Sequence, residues 1–227
     1  MHNYFDLPDF RKGVIYMIEF PVSTTIHKRI PKEAFYKRLT LTAALKEKIV
    51  TDVERIVIEN SLSNRSLNLN SSSEIEEILM LSIVLKKQEF DGKIVEAIAR
   101  QNPHKLLFLL VCEDKQQLAL YHNKLYRTPW MSADEITLKL NGFSLDEMCE
   151  SFIEQIALYE EKAENADTLS IDERLALQEQ ITKLEKLIKK TEAAAWKEQQ
   201  PKKKFELYSK LKEYKRKLDE LKRSRSG

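Results

Sequence analysis

Glycine is scarce in this chain, with four in 227 residues. That scarcity argues against glycine-rich cofactor loops and against a turn-dense all-β fold. Cysteine is rarer still. Cys112 and Cys149 sit far apart in apolar surroundings and fit no metal-ligand spacing, so they read as buried thiols of a reducing compartment. No apolar run reaches the roughly 18 residues that a bilayer span requires. "VIYMIEFPV" (14–22) is too short, and it lacks the small-residue cleavage site of a signal peptide. A cytoplasmic location without a membrane partner is therefore expected. Charge of one sign is lacking too: 33% of residues are charged, yet the net is +2, so no global field selects nucleic acid or membrane.

What is present falls into two parts. Residues 17–160 switch rapidly between strand and helix patterns. "ERIVIEN" (54–60) alternates and is β-branched, which predicts a strand. "EEILMLSIVLKK" (76–87) and "KLLFLLVCE" (105–113) are apolar on both faces and predict central strands. "QLALYHNKL" (117–125) reads as a third strand, forming a hairpin with the second across Asp114–Gln116. Helices fall between and around them. Pro31 opens "KEAFYKR", Leu45, Ile49 and Val53 share one face, Asp91 caps "GKIVEAIARQ", and Ser144 and Glu147 form a capping box. The expected fold class is α/β, a mixed-sheet α/β sandwich.

Residues 169–223 follow a different rule. Leu177, Ile181, Leu184 and Ile188 form one apolar seam, and Leu207, Leu211, Tyr214, Leu218 and Leu221 form another out of register with it. Pro201 stands where the phase breaks. The expectation is a C-terminal helical hairpin turning near 199–203, with a kinked continuous coiled coil as the competing reading. A homodimer through these helices is a further expectation.

No constellation suggests catalysis, so the expected catalytic, metal and cofactor sets are empty. "TTIHKRIPKEAFYKRL" (24–39) packs Lys28, Arg29, Lys32, Lys37 and Arg38 around one proline and two aromatics. A strand-to-helix junction explains the proline and the aromatics, with Ile26 and Ile30 inward and Phe35 and Leu39 buried. It leaves Lys32 unexplained, because a helix's first turn disfavours positive charge unless an acidic partner or a phosphate answers it. The segment 197–227 holds 12 Lys/Arg against 5 Asp/Glu, a local +7, which leaves about −5 on the remainder. Lys28, Arg29, Lys32, Lys202, Lys203 and Lys204 are accordingly the candidate nucleic-acid-binding residues. The competing reading makes the tail lysines the solvent face of a helix pair. His104, placed between a helix and a buried strand, reads either as a backbone-bonded junction residue or as a general base. A metal-dependent nuclease is disfavoured because Val84 and Leu85 stand where an E-x-K pattern needs a carboxylate, and Glu76 and Glu77 lie at the strand's other end, about 25 Å from Val84.

Three stretches carry a resemblance: "FPVSTTIHKRIPKEAFY" (20–36), "AIARQNPHKLLFLL" (97–110), and the tail text "KLEKLIKK" with "FELYSKLKEYKRKLDEL". The chain resembles a bacterial family designated domain of unknown function 4391, over about residues 17–221. The first stretch is the most specific. The resemblance implies an α/β body with a helical tail, and a setting beside restriction-like helicases and DNA methyltransferases in phage-defence loci. It carries no catalytic residue across. The expectation is a non-enzymatic accessory subunit of a DNA-targeting phage-defence or restriction-like complex, with a helicase or methyltransferase as partner and DNA as a further one. The alternatives are a nuclease or hydrolase with a site near His104 and Lys86, and a structural adaptor without nucleic-acid contact.

Residues 1–16 form an extension that departs from the family-like text, which begins at Met17. "RKG" before "VIY" can be encoded AGG-AAA-GGG, a purine-rich run with the look of a ribosome-binding site. Residues 1–16 are thus expected to be a dispensable translated leader, against the alternative that "VIYMIEF" is an edge strand.

Overall fold

The computed structural model describes residues 18, 20–70, 72–159 and 169–226, without the side chains of 35–37 and 224–226. The extension 1–16, the edge-strand reading of "VIYMIEF" and the burial of Phe35 lie outside the described residues. The chain divides into two compact units, Met1–Ala157 and Leu158–Gly227.

The first unit is built on a seven-stranded mixed sheet. In chain order it comprises β1 (Thr25–Ile30), α1 (Lys32–Arg38), α2 (Ala43–Asp52), β2 (Val53–Ser63), the short α3 (Asn64–Leu67), β3 (Glu77–Leu85), α4 (Lys93–Arg100), β4 (Lys105–Cys112), β5 (Lys115–His122), β6 (Lys124–Arg127), β7 (Met131–Ser132) and α5 (Leu145–Ala157). The spatial order runs β1-β2-β3-β4-β5-β6, with β7 paired to β5. All described pairings are antiparallel except β3–β4, which is parallel and bridged by α4.

The predicted central strands are central. Every residue of β3 after Glu77 is buried, as is every residue of β4 after Lys105. Alternation sends Leu79, Leu81, Ile83 and Leu85 to one face, where they pack with Ile94, Val95 and Ile98 of α4 and Ile49 of α2. Ile78, Leu107 and Leu120 meet Phe152 and Ile153 of α5. Helices thus cover both faces, as the sandwich reading expects.

Caps set the helix starts. The Thr42 side chain accepts the Leu45 N–H and Ser144 accepts that of Glu147, whereas the N-cap of α4 is Gly92 and not the expected Asp91, which accepts the Lys93 N–H from one residue before it. Two expectations need correction. "QLALYHNKL" is not one strand: Asn123 adopts φ 60° and reverses the chain, splitting it into β5 and β6. The β4–β5 reversal uses Glu113 and Asp114 rather than Asp114–Gln116, because Cys112 already pairs with Lys115 and Glu113 takes φ 55°. Asparagine tolerates the left-handed region well; glutamate is a poorer signal for it.

The second unit is a helical hairpin. α6 (Ile171–Lys197) begins at a full capping box of Ser170 and Glu173, and α7 (Pro201–Ser226) follows after three residues. Glu192 pairs with Lys215 and Glu185 with Lys222, so the helices run antiparallel. Ile181 and Ile188 are buried, as is Leu211 opposite, and the predicted seams face each other. The reversal lies at 198–200. Pro201 is the first residue of α7 rather than a kink within a helix, a place where its missing N–H costs nothing. Among the described residues, no helix is long and apolar enough to cross a membrane.

Candidate functional site

Among the described strands β1 lies at the edge of the sheet, and its pairing with β2 slips between Thr25 and Lys28. His27 occupies that slip with φ 46°, and its Nδ1 lies 2.8 Å from a Glu59 carboxylate oxygen. Glu59 sits in a second slip, between Ile58 and Asn60, and its other oxygen accepts the hydroxyl of fully buried Ser82. The facing irregularities upset the simple alternation: Ile30 packs toward the core as expected, but Ile26 is 44% exposed. Upstream, buried Thr24 donates to the Pro21 carbonyl at 2.7 Å and accepts from Asn60 at 3.0 Å, holding the start of the strand.

The cations of this stretch part company. Lys28 and Arg29 are exposed, and the Lys28 ammonium has no hydrogen-bond or ion-pair partner among the described residues. The Lys32 ammonium instead donates to the Val53 carbonyl, the C-cap of α2. Lys86, from the end of β3, donates to the Val50 carbonyl at 2.9 Å. The last turn of α2 has no basic residue of its own. Two lysines from other elements therefore answer its orphan carbonyls and its negative dipole end. Partial burial, and then the positive charges of Lys86 and Arg29, push Lys32 below the usual lysine range. The helix junction, rather than a bound phosphate, accounts for Lys32.

Asp52 completes this joint. Burial alone would raise its pKa, but hydrogen bonds from Lys87 (2.9 Å) and Thr51 (3.0 Å) outweigh burial and hold it below the ordinary aspartate range. Lys48 and Asp91, 2.5 Å apart, tie α2 to the start of α4, and that bond likewise depresses Asp91.

His104 meets Glu77 at 3.4 Å, and Glu77 also accepts the Ser61 hydroxyl. The carboxylate stands between serine and histidine, an order opposite to that of a nucleophile activated by an imidazole base. Asn102 accepts the His104 backbone N–H at 2.9 Å. Lys86, the other member of the hydrolase reading, lies at the opposite end of β3 from Glu77. Among the described residues no group of three His, Cys, Asp or Glu side chains could hold a metal ion.

The remaining candidates, Lys202, Lys203 and Lys204, occupy the first turn of α7, which contains no acidic residue. Lys202 and Lys203 are exposed, and none of the three has an ion-pair partner among the described residues. Close by in sequence are three aromatics that the pattern reading passed over: Trp196 is 76% exposed, Phe205 73% and Tyr208 43%. The available signal was phase, since Trp196 and Tyr208 each stand one residue past a seam position.

The family model for the Domain of unknown function (DUF4391) matches residues 18–218. The chain belongs to this family. The match takes in both units of the DUF4391 chain, from just before β1 into α7. No curated protein and no solved structure matches it.

Proposed function

We propose that this DUF4391 protein is a non-enzymatic accessory subunit of a DNA-targeting complex of the bacterial phage-defence or restriction-like kind, acting beside a helicase or methyltransferase. The observation that carries the reading is the opening of α7. Three lysines stand where the helix dipole disfavours them, with no acid in the turn to compensate. An external polyanion supplies the missing charge, and a phosphate backbone does so at repeated spacing. Exposed Lys28 and Arg29 add a second basic element in the first unit. The setting follows from the family resemblance, and a homodimer through the outer faces of the hairpin belongs to the same reading.

The test is binding of the purified chain to duplex and single-stranded DNA across graded salt, with and without Mg²⁺. Salt-sensitive binding without cleavage is the expected result. A second reading, a nuclease or hydrolase near His104, draws on the His104–Glu77–Ser61 contacts. Metal-dependent cleavage that disappears in His104→Ala would replace the first reading with it.

A further inference from the structure

Trp196 is four residues beyond Glu192 on α6, and Tyr208 is seven before Lys215 on α7. Residues four or seven apart share a helix face. Glu192 and Lys215 pair across the hairpin at 3.4 Å, so both faces belong to one flank. Trp196 and Tyr208 therefore lie on that common flank, near the turn. Phe205, three residues before Tyr208, extends the face outward, and Lys212 continues it one turn on. At about 1.5 Å of rise per residue, Phe205 lies about 6 Å along the axis from the start of α7. Lys202, Lys203 and Lys204 precede it directly.

Three exposed rings on one flank at one end of a helix pair make a patch of the kind that marks an interaction surface. A second copy of this tip would bring like charges together. A helix-end patch of rings interleaved with ammonium groups matches single-stranded polynucleotide: cations track the phosphates while bases stack on the rings. A regular duplex keeps its bases stacked on each other, so it presents phosphates and base edges but no base face for a ring to stack on.

We propose that the turn end of the hairpin binds single-stranded DNA by stacking bases on Trp196, Phe205 and Tyr208, with Lys202, Lys203 and Lys204 on the phosphates. This rests on the DNA-binding reading above and adds the strand state and the mode of contact. The tip serves to hold a strand that a partner has separated.

The chain has two tryptophans, and Trp130 packs against the sheet core. Trp196 is thus a built-in reporter. Titrating the full chain with a twelve-residue oligothymidylate should quench its fluorescence, and the quench should be absent in Trp196→Phe, which keeps a ring and should keep most of the affinity. Trp196→Ala and Phe205→Ala should each weaken binding about five- to a hundredfold, with the circular dichroism of the helices unchanged. A duplex of the same length should bind more weakly and ignore both substitutions. If oligothymidylate binds but ring removal changes nothing, stacking is overturned while DNA binding stands. If neither DNA form binds, both readings fall. Tighter binding of oligouridylate, or ring-dependent binding to anionic phosphatidylserine vesicles with none to oligothymidylate, would overturn the assignment in favour of RNA or a lipid surface.

Discussion

The sequence writes Pro-Lys-x-x-Phe twice, as "PKEAF" from Pro31 and "PKKKF" from Pro201, each at the opening of a helix. In the first, the lysine turns to the end of another helix and closes it through the Val53 carbonyl. In the second, Lys202, Lys203 and Phe205 are exposed and Lys204 is half-buried. One spelling thus yields a joint in the sheet unit and an open surface in the hairpin. A cation at a helix start takes its meaning from the carbonyl or anion within its reach.

The largest test of the contrast is to separate the units. Residues 1–165 should fold alone and unfold cooperatively in urea, because the sheet is covered by helices of the same unit. Residues 169–227 alone should be helical only when self-associated or bound, since their helices rest on one narrow seam. Loss of the cooperative transition in the 1–165 fragment would remove the basis for treating the regions as independent.

Next in size is Asp52→Asn, which leaves Lys87 facing a neutral amide at a buried position and should cost about 2 kcal/mol by chemical denaturation. The pH dependence has a definite sign. Asp52 and Asp91 are both held below the ordinary aspartate value of about 3.9. Their contribution is complete above that value and disappears as pH falls through their lower folded values. The urea midpoint should therefore drop in that acid range, and less steeply in Asp52→Asn.

Lys32→Ala should cost about 1 kcal/mol, the loss of one partly exposed charged hydrogen bond and one helix-end interaction. Lys28→Gln, beside it, should cost roughly 0.5 kcal/mol or less. Equal costs for the two would dissolve the distinction drawn at the α2 joint. The smallest stability effect belongs to the triple change of Lys202, Lys203 and Lys204 to Gln, within roughly 0.5 kcal/mol. The same variant should flatten the logarithmic salt dependence of duplex binding by up to about 2.7. A variant that loses stability but keeps the wild-type salt slope would make these lysines structural as well.

Much of the sheet unit was legible because its signals are local and redundant. Continuous β-branched and leucine runs mark β3 and β4, Thr42 and Ser144 announce the helix starts that they cap, and Asp91 stands one residue ahead of the Gly92 N-cap. The hairpin seams were legible for the same reason, since period alone defines them. What stayed hidden depends on backbone exceptions or on distance in sequence. Nothing in "QLALYHNKL" outweighs its alternation except Asn123, and nothing near His27 foretells its pairing with Glu59, 32 residues away. The role of Lys32 was illegible because its partner, Val53, is a carbonyl, which carries no sequence signature. Lys28, Arg29 and Lys202–Lys204 could be nominated from charge, but that their side chains have no ion-pair partner among the described residues is a property of the fold.

The single parallel pairing described in the sheet, β3 with β4, sets a kinetic order on the whole chain. The two strands can meet only after the intervening segment, α4 included, has folded back across them. Such long-range closure is slow, on the order of milliseconds to seconds for sheet-rich domains, whereas helix formation is a matter of microseconds or less. The strands also leave the ribosome before α6 and α7. Through that interval β3 and β4, apolar on both sides, are the segments most open to wrong partners, and a chaperone that binds extended apolar chain would find its target there.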